Sequence, residues 1–184
     1  LFKADVVISV AGMEGALTGD KAQVLSQALG LSPYDSLIDG FSPGFLSAEI
    51  DQLFRVVSRR LPNLIREVIE QQATRPPLPL LGKVGASKQR TLAVEVMRAL
   101  GFPFDRGRLD ESDHPFTEGV NGDVRVTTRF DLKEPFTGLM GVLHETGQAM
   151  YDLGLPAEWR DQTVGSDRGM ALEESQSLLL EMIV

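Results

Sequence analysis

The segment from Ser47 to Ala73 is the feature that most limits how this chain can fold. Its apolar side chains recur every three or four residues, at Ile50, Leu53, Phe54, Val57, Leu61, Leu64, Ile65, Val68 and Ile69. This spacing predicts a long amphipathic helix, with Ser47 as its N-cap. Because Pro62 lacks a backbone N–H and crowds the preceding turn, we expect the helix to kink or divide near Leu61.

Other segments extend the helical pattern. Further helices are predicted in three segments: SKQRTLAVEVMRALG, the stretch from Pro135 to Gly154, and GMALEESQSLLLEMIV. In the first of these, Ser87 is the predicted N-cap and Gly101 the predicted left-handed stop. In contrast, DVRVTTRF alternates apolar and polar residues and predicts a short strand, and TRPPLPLLGKVGAS predicts a loop. The fold class is therefore mainly α with one short β element, and the length predicts one domain over residues 1–184.

The charge balance argues against two classes of partner. Lys and Arg total 18 against 26 Asp and Glu, for a formal net charge of -8, which opposes binding to nucleic acid or to an anionic membrane. No stretch approaches the roughly 20 apolar residues that span a bilayer, so we expect no membrane segment. The chain has no cysteine, which fits a reducing compartment, and we expect a cytoplasmic protein.

Both ends suggest a chain cut from something longer. The first residue is Leu1 rather than Met, and the last residues, SLLLEMIV, form an apolar run that is unusual at a free terminus. An exposed apolar helix end favours association, so we expect a homo-oligomer such as a dimer.

The stretch LHETGQAM contains part of a zinc-binding pattern. In an H-E-x-x-H helix, two His one turn apart bind the metal and the Glu accepts a proton from the metal-bound water. Here His144 and Glu145 are present, but the fifth position is Gln148, whose neutral amide is a poor zinc ligand. Glu173 and Glu174 could supply a carboxylate ligand, and spacing alone does not choose between them. On residue types alone, an H-E pair is more often a surface pair than a metal site.

Longer stretches carry a family resemblance. The runs GRLDESDHPFTEGVNGDVRVTTRFD, GVLHETGQAMYDLGLPAEWRDQTVG and GMALEESQSLLLEM resemble the core of the Taq-type zinc carboxypeptidases, and YDSLIDGFSPG and the Ser47 helix resemble that family too. The family is cytoplasmic and largely helical, with a deep cleft. The resemblance therefore implies a helical, zincin-like metallopeptidase core, here a partial catalytic-type domain like the central part of a family member.

The resemblance also implies roles for particular residues. His144 matches the first zinc ligand, Glu145 the general base and Glu174 the carboxylate ligand. Gln148 stands where the family has its second His ligand, and Glu173 stands where it has the His of an H-E-S-Q element. Changes around metal ligands alone cost about 10- to 100-fold in affinity, so losing a ligand should cost at least as much and zinc is not expected to be retained well. The acidic cluster could instead suit a cation that prefers oxygen ligands.

Three further residues are candidates for substrate binding. Arg125 and Arg129 resemble the family's basic residues near the cleft, where an Arg fork would bind the terminal carboxylate of a peptide. Without the resemblance, alternating Arg on a strand indicates a solvated face. His114 either supports the turn before Pro115 or lines the cleft, where it could replace the missing ligand.

These features predict a homologue of the zinc metallocarboxypeptidases, which hydrolyse C-terminal peptide bonds, with weak or lost catalysis and with peptide C-termini as partners if it is active. Two alternatives remain open. The chain is a non-catalytic binding or dimerising module derived from that family, or it is a truncated gene product without a selected role.

Overall fold

The computed structural model describes residues 15–75, 82–120 and 122–183. Their contacts fall into two compact units, divided between Pro76 and Pro77. The single domain over residues 1–184 stays a prediction. This division lies in the predicted loop TRPPLPLLGKVGAS, of which residues 76–81 are outside the described residues.

Three helices form the described part of the first unit: α1 (Gly15–Leu29), α2 (Pro33–Asp39) and α3 (Ser47–Ala73). α3 is the long predicted helix, and Pro62 does not divide it. The turn before Pro62 is exposed, so water can bond the carbonyl that this residue leaves unpaired. The predicted N-cap is wrong, because Leu46 occupies that position and makes no side-chain bond. α3 has no buried residue, and its apolar face is exposed.

The second unit contains the remaining helices, α4 (Ala86–Ala99), α5 (Pro135–Gly154) and α6 (Met170–Ile183), and two short 3-10 turns, Ala157–Trp159 and Thr163–Gly165. Gly101 follows α4 with φ 89°, the left-handed stop that the sequence predicted. The N-cap of α4 is Gly85 rather than the predicted Ser87.

A three-stranded sheet lies between α4 and α5 in the chain. It comprises β1 (Gly107–Glu111), β2 (Thr117–Val120) and β3 (Asp123–Thr128), in the order β1-β3-β2. β1 is parallel to β3, and β2 is antiparallel to it. The sequence predicted only β3. A small sheet in a helical chain agrees with the predicted fold class, which is confirmed.

The core of the second unit forms where α5 packs against α4 and β3. Its buried apolar residues come from both helices, from the sheet and from the loop after α4: Ala93, Met97, Phe102, Leu109, Val124, Val126, Val142 and Ala149. Because successive strand residues point to opposite faces, the β3 valines turn one face of the sheet towards α5. Arg125, between them, points to the other face. In the described part of the chain, no helix is long and apolar enough to cross a membrane.

Candidate metal centre

A close approach of α5 and α6 creates the site. A Cβ atom added to Gly147 in α5 would lie 2.6 Å from the Cα of Ser177 and 2.8 Å from the carbonyl oxygen of Gln176, both in α6. Only glycine allows two backbones this near each other. The contact brings the residues that flank Gly147 against the acidic side chains of α6.

His144 lies between two carboxylates of α6. Its Nδ1 is 2.5 Å from Oε1 of Glu181, and its Nε2 is 3.3 Å from Oε2 of Glu174. A carboxylate on one ring nitrogen fixes the orientation of an imidazole and directs the other nitrogen, here towards Glu174. Glu181 was not predicted from the sequence. A usable signal was its spacing of seven residues from Glu174, which places both on one helix face.

Gln148 lies one turn after His144 and faces the same carboxylate. Its Nε2 atom is 3.3 Å from Nε2 of His144 and 3.3 Å from Oε1 of Glu174. The structure therefore brings together the three residues that the sequence placed at the metal site.

Glu145 is buried on the side of α5 that faces the sheet. Thr117 of β2 donates its hydroxyl to Oε2 of this carboxylate at 2.7 Å, and the hydroxyl also lies 2.9 Å from the Glu145 carbonyl oxygen. Burial raises the pKa of Glu145, and the Thr117 hydrogen bond and the charge of His144 oppose that rise. Thr117 was not predicted, since nothing in the sequence indicates that β2 crosses α5 at this residue.

Glu173 is surrounded by other carboxylates. Burial raises its pKa, and the negative charges of Asp152, Asp167 and Glu174 raise it further. Burial also raises the pKa of Asp152, and Asp167 adds to that effect. Glu173 thus increases the negative charge around the site.

The donor set does not fit a catalytic zinc ion. Such a site uses three protein ligands and one open position. His144 and Glu174 are two suitable ligands, but Gln148 presents an amide nitrogen, which has no lone pair to give a metal. Among the residues that the structure describes, no group of three or more His, Cys, Asp or Glu is arranged to hold a metal ion.

Arg125 lies away from this cluster. It forms an ion pair with Asp123, which raises the pKa of the Arg125 guanidinium. Thr117 is paired with Val126 across the sheet and points, like Val126, towards α5, so the neighbouring Arg125 points away from Glu145. Arg125 lines a groove of about 340 Å³ together with Phe104, Asp105, Arg106, Gly107, Arg108, Gly122 and Asp123. Arg129 is exposed beyond the end of β3. Their predicted contact with a substrate carboxylate stays a prediction.

His114 is exposed in the turn before β2. Its Nδ1 lies 2.9 Å from the carbonyl oxygen of Pro115, and its own carbonyl accepts a hydrogen bond from the Ser112 hydroxyl at 2.9 Å. The charge of His114 is the smallest of the effects that oppose the rise in the pKa of Glu145. Its backbone and ring contacts support the turn, and its predicted role at the cleft stays a prediction.

Comparisons with known proteins agree on one relationship. Residues 15–184 match the model of the carboxypeptidase Taq (M32) metallopeptidase family. The chain is 36% identical to thermostable carboxypeptidase 1 of Thermus thermophilus over 178 residues, which cover 92% of this chain and 35% of that protein. It is also 36% identical to carboxypeptidase 1 of Bacillus subtilis over 154 residues, covering 83% of this chain and 30% of that protein.

Solved structures give the same result. Metallocarboxypeptidase 1 of Trypanosoma cruzi superimposes with a TM-score of 0.85 at 37% identity, over 91% of this chain and 34% of that one. The M32 carboxypeptidase of Deinococcus radiodurans superimposes with a TM-score of 0.82 at 32% identity, over 91% and 34%. The chain therefore spans about a third of the length of the relatives it matches.

Proposed function

Because the chain belongs to the carboxypeptidase Taq (M32) metallopeptidase family, we propose that it carries the central part of a site for hydrolysis of C-terminal peptide bonds, with impaired catalysis. The family acts on peptides, so the C-termini of peptides are the proposed substrates.

Glu145 is the general base of the proposed reaction. A general base works best when its pKa lies near the operating pH, and burial moves the pKa of Glu145 in that direction. Thr117 holds Oε2 of the carboxylate, so Oε1 would take the proton from a water molecule that attacks the scissile carbonyl. This geometry supports Glu145 as the base.

The contact of Gln148 with both His144 and Glu174 is the observation that carries the proposal of impaired catalysis. An amide that donates to the two remaining ligands competes for the same lone pairs as a metal ion. Glu173, where the family has a His, adds a carboxylate instead of a neutral or cationic group. Both changes weaken stabilisation of the charge that develops on a peptide carbonyl during hydrolysis.

The test is release of the C-terminal amino acid from short peptides in the presence of zinc. We expect slow release by the unmodified protein and release at least about 10-fold faster by Gln148→His. Changes to residues around a metal ligand alone cost about 10-fold or more in metal affinity or activity, so restoring a ligand itself should recover at least that factor. Adding Glu145→Gln to that variant should abolish the gain. Gln162→His, at an exposed position of the same unit, is the control for an added histidine. Fast release by the unmodified protein that Gln148→His does not increase would refute impaired catalysis.

A binding or dimerising module is the second candidate function. The observation that favours it is the apolar end of α6, where the exposed fractions of Leu179, Met182 and Ile183 are 50%, 81% and 70%. Contiguous exposed apolar side chains favour association. We expect sedimentation equilibrium to show a dimer that Met182→Glu weakens and that Ser175→Glu, an exposed polar position of the same helix, leaves intact. A monomer at high concentration would exclude this candidate.

A further inference from the structure

The protonation of the His144 ring follows from its partner. A carboxylate has only hydrogen-bond acceptors, so the 2.5 Å contact between Glu181 and Nδ1 of His144 requires a proton on Nδ1. A neutral imidazole carries one proton, which leaves a lone pair on Nε2. In the neutral ring, Nε2 of His144 is therefore an acceptor, and it lies 3.3 Å from a second acceptor, Oε2 of Glu174, so this pair needs a donor or a cation beside it.

The amide of Gln148 supplies what two acceptors need. Its NH₂ group has two hydrogens, and its nitrogen lies 3.3 Å from both Nε2 of His144 and Oε1 of Glu174. The opposite amide orientation would place Oε1 of Gln148 against a lone pair and a carboxylate. The electrostatics thus favour the nitrogen in this position.

We propose that the carboxamide of Gln148 replaces a metal ion in linking His144 to Glu174, so that these residues of α5 and α6 are joined without any cation. The two atoms that face the amide are the two that would face a metal. The close packing at Gly147 keeps the helices near enough for one amide to reach both. This inference rests on the proposed function only in taking the site to derive from a metal centre.

The proposal predicts that an isosteric change reverses the response to metal. Gln148→Glu keeps the shape of the side chain but replaces its two donors by acceptors, which would face the lone pair of His144 and the carboxylate of Glu174. Without metal, this repulsion should lower the Tm of the variant by about 4 °C. With zinc, the new carboxylate completes a set of three ligands, and binding to the folded state should raise the Tm.

The experiment is thermal unfolding of the whole chain at pH 8, where the new carboxyl is ionised, in EDTA and in zinc chloride. Trp159, in the second unit, provides the fluorescence signal. We expect the unmodified protein to have the same Tm in both solutions. Gln148→Glu should have a lower Tm than the unmodified protein in EDTA and a raised Tm in zinc. The exposed control Gln162→Glu should have the same Tm as the unmodified protein in both. A Tm of the unmodified protein that falls in EDTA would overturn the proposal, as would a Gln148→Glu variant that is as stable as the unmodified protein without metal.

Ring nitrogen chemical shifts of His144 give a second readout. The chain has two histidines, so His114→Gln assigns the signals. The link requires a proton on Nδ1 and none on Nε2, and a protonated Nε2 would contradict the link to Gln148. Neither readout involves hydrolysis. An inactive protein that binds zinc tightly would overturn this inference alone, and a protein that hydrolyses peptides efficiently in EDTA would overturn the proposed impairment alone.

Discussion

Substitution of Gly147 by alanine tests the helix contact on which the whole site depends. The new Cβ would lie 2.6 Å from the Cα of Ser177 and 2.8 Å from the carbonyl oxygen of Gln176. Both atoms belong to the backbone of α6, so no side-chain rotation relieves the overlap and the helices must separate. Overpacking of this kind costs about 1–3 kcal/mol. Alanine recovers about 1 kcal/mol through its higher helix propensity.

Gly141→Ala is the matched control in the same helix. The atom nearest to its new Cβ is 3.6 Å away, which is an ordinary van der Waals contact, so only the gain of about 1 kcal/mol in propensity applies. The two variants should therefore differ in unfolding free energy by about 1–3 kcal/mol, with Gly147→Ala the less stable. For a chain of this size, the difference corresponds to about 2–12 °C in Tm.

The assay is thermal unfolding followed by the fluorescence of Trp159, the single tryptophan, which lies in the same unit as both glycines. Separation of the helices also moves Glu174 away from His144. For that reason, combining Gly147→Ala with Gln148→His should weaken zinc binding relative to Gln148→His alone. If Gly147→Ala melts at or above the temperature of Gly141→Ala, the close approach of α5 and α6 is refuted.

Three further predictions concern hydrogen bonds and buried carboxylates. Thr117→Val leaves the buried carboxylate of Glu145 without its hydrogen-bond donor. The substitution should lower the free energy of unfolding in urea by about 1–3 kcal/mol and raise the pKa of Glu145 further. An unchanged urea midpoint would contradict the contact. Burial raises the pKa values of Glu145, Asp152 and Glu173, so the folded second unit binds protons more tightly than the unfolded chain. Its urea midpoint should therefore increase as the pH falls through these raised values and level off near about pH 4, the ordinary carboxyl pKa. A midpoint that increases with pH would contradict this. In the first unit, hydrogen bonds with Ser47, at the start of α3, lower the pKa of Asp35. The ionised carboxylate therefore stabilises the fold at pH values above the ordinary carboxyl pKa. Asp35→Asn should lower the temperature at which the helices melt at pH 7, as followed by circular dichroism.

Periodicity predicted α3, α4, α5 and α6, which have apolar stripes over several turns. It did not predict α1, or α2, which has only seven residues. It failed at β1 and β2, which are five and four residues long and have little alternation in their burial. Such strands form because β3 offers them backbone partners, and that information is not local. The N-caps of α3 and α4 were also predicted wrongly. Ser47 and Ser87 already lie within their helices, and Leu46 and Gly85 precede them without a side-chain bond.

The residues of the site divide in the same way. Family resemblance placed His144, Gln148 and Glu174, and the structure brings them together. Glu181 and Thr117 were not predicted, because their roles depend on how α6 and β2 cross α5. The spacing of Glu181 from Glu174 places both on one face of α6, but nothing in the sequence shows that this face meets His144.

The two departures from the family pattern on α5 and α6 have different physical consequences. Gln148 contributes donors where a cation would otherwise neutralise acceptors, so it stabilises the approach of Glu174 to His144. Glu173 contributes a negative charge among carboxylates, and the rise in its pKa shows that its ionised form is disfavoured there. A protein restored only at Gln148 would therefore still carry the repulsion from Glu173. Under the proposed function, full recovery of a metal-dependent site requires both positions to change. The gain from Glu173→His should then be larger in a Gln148→His background than in the unmodified protein.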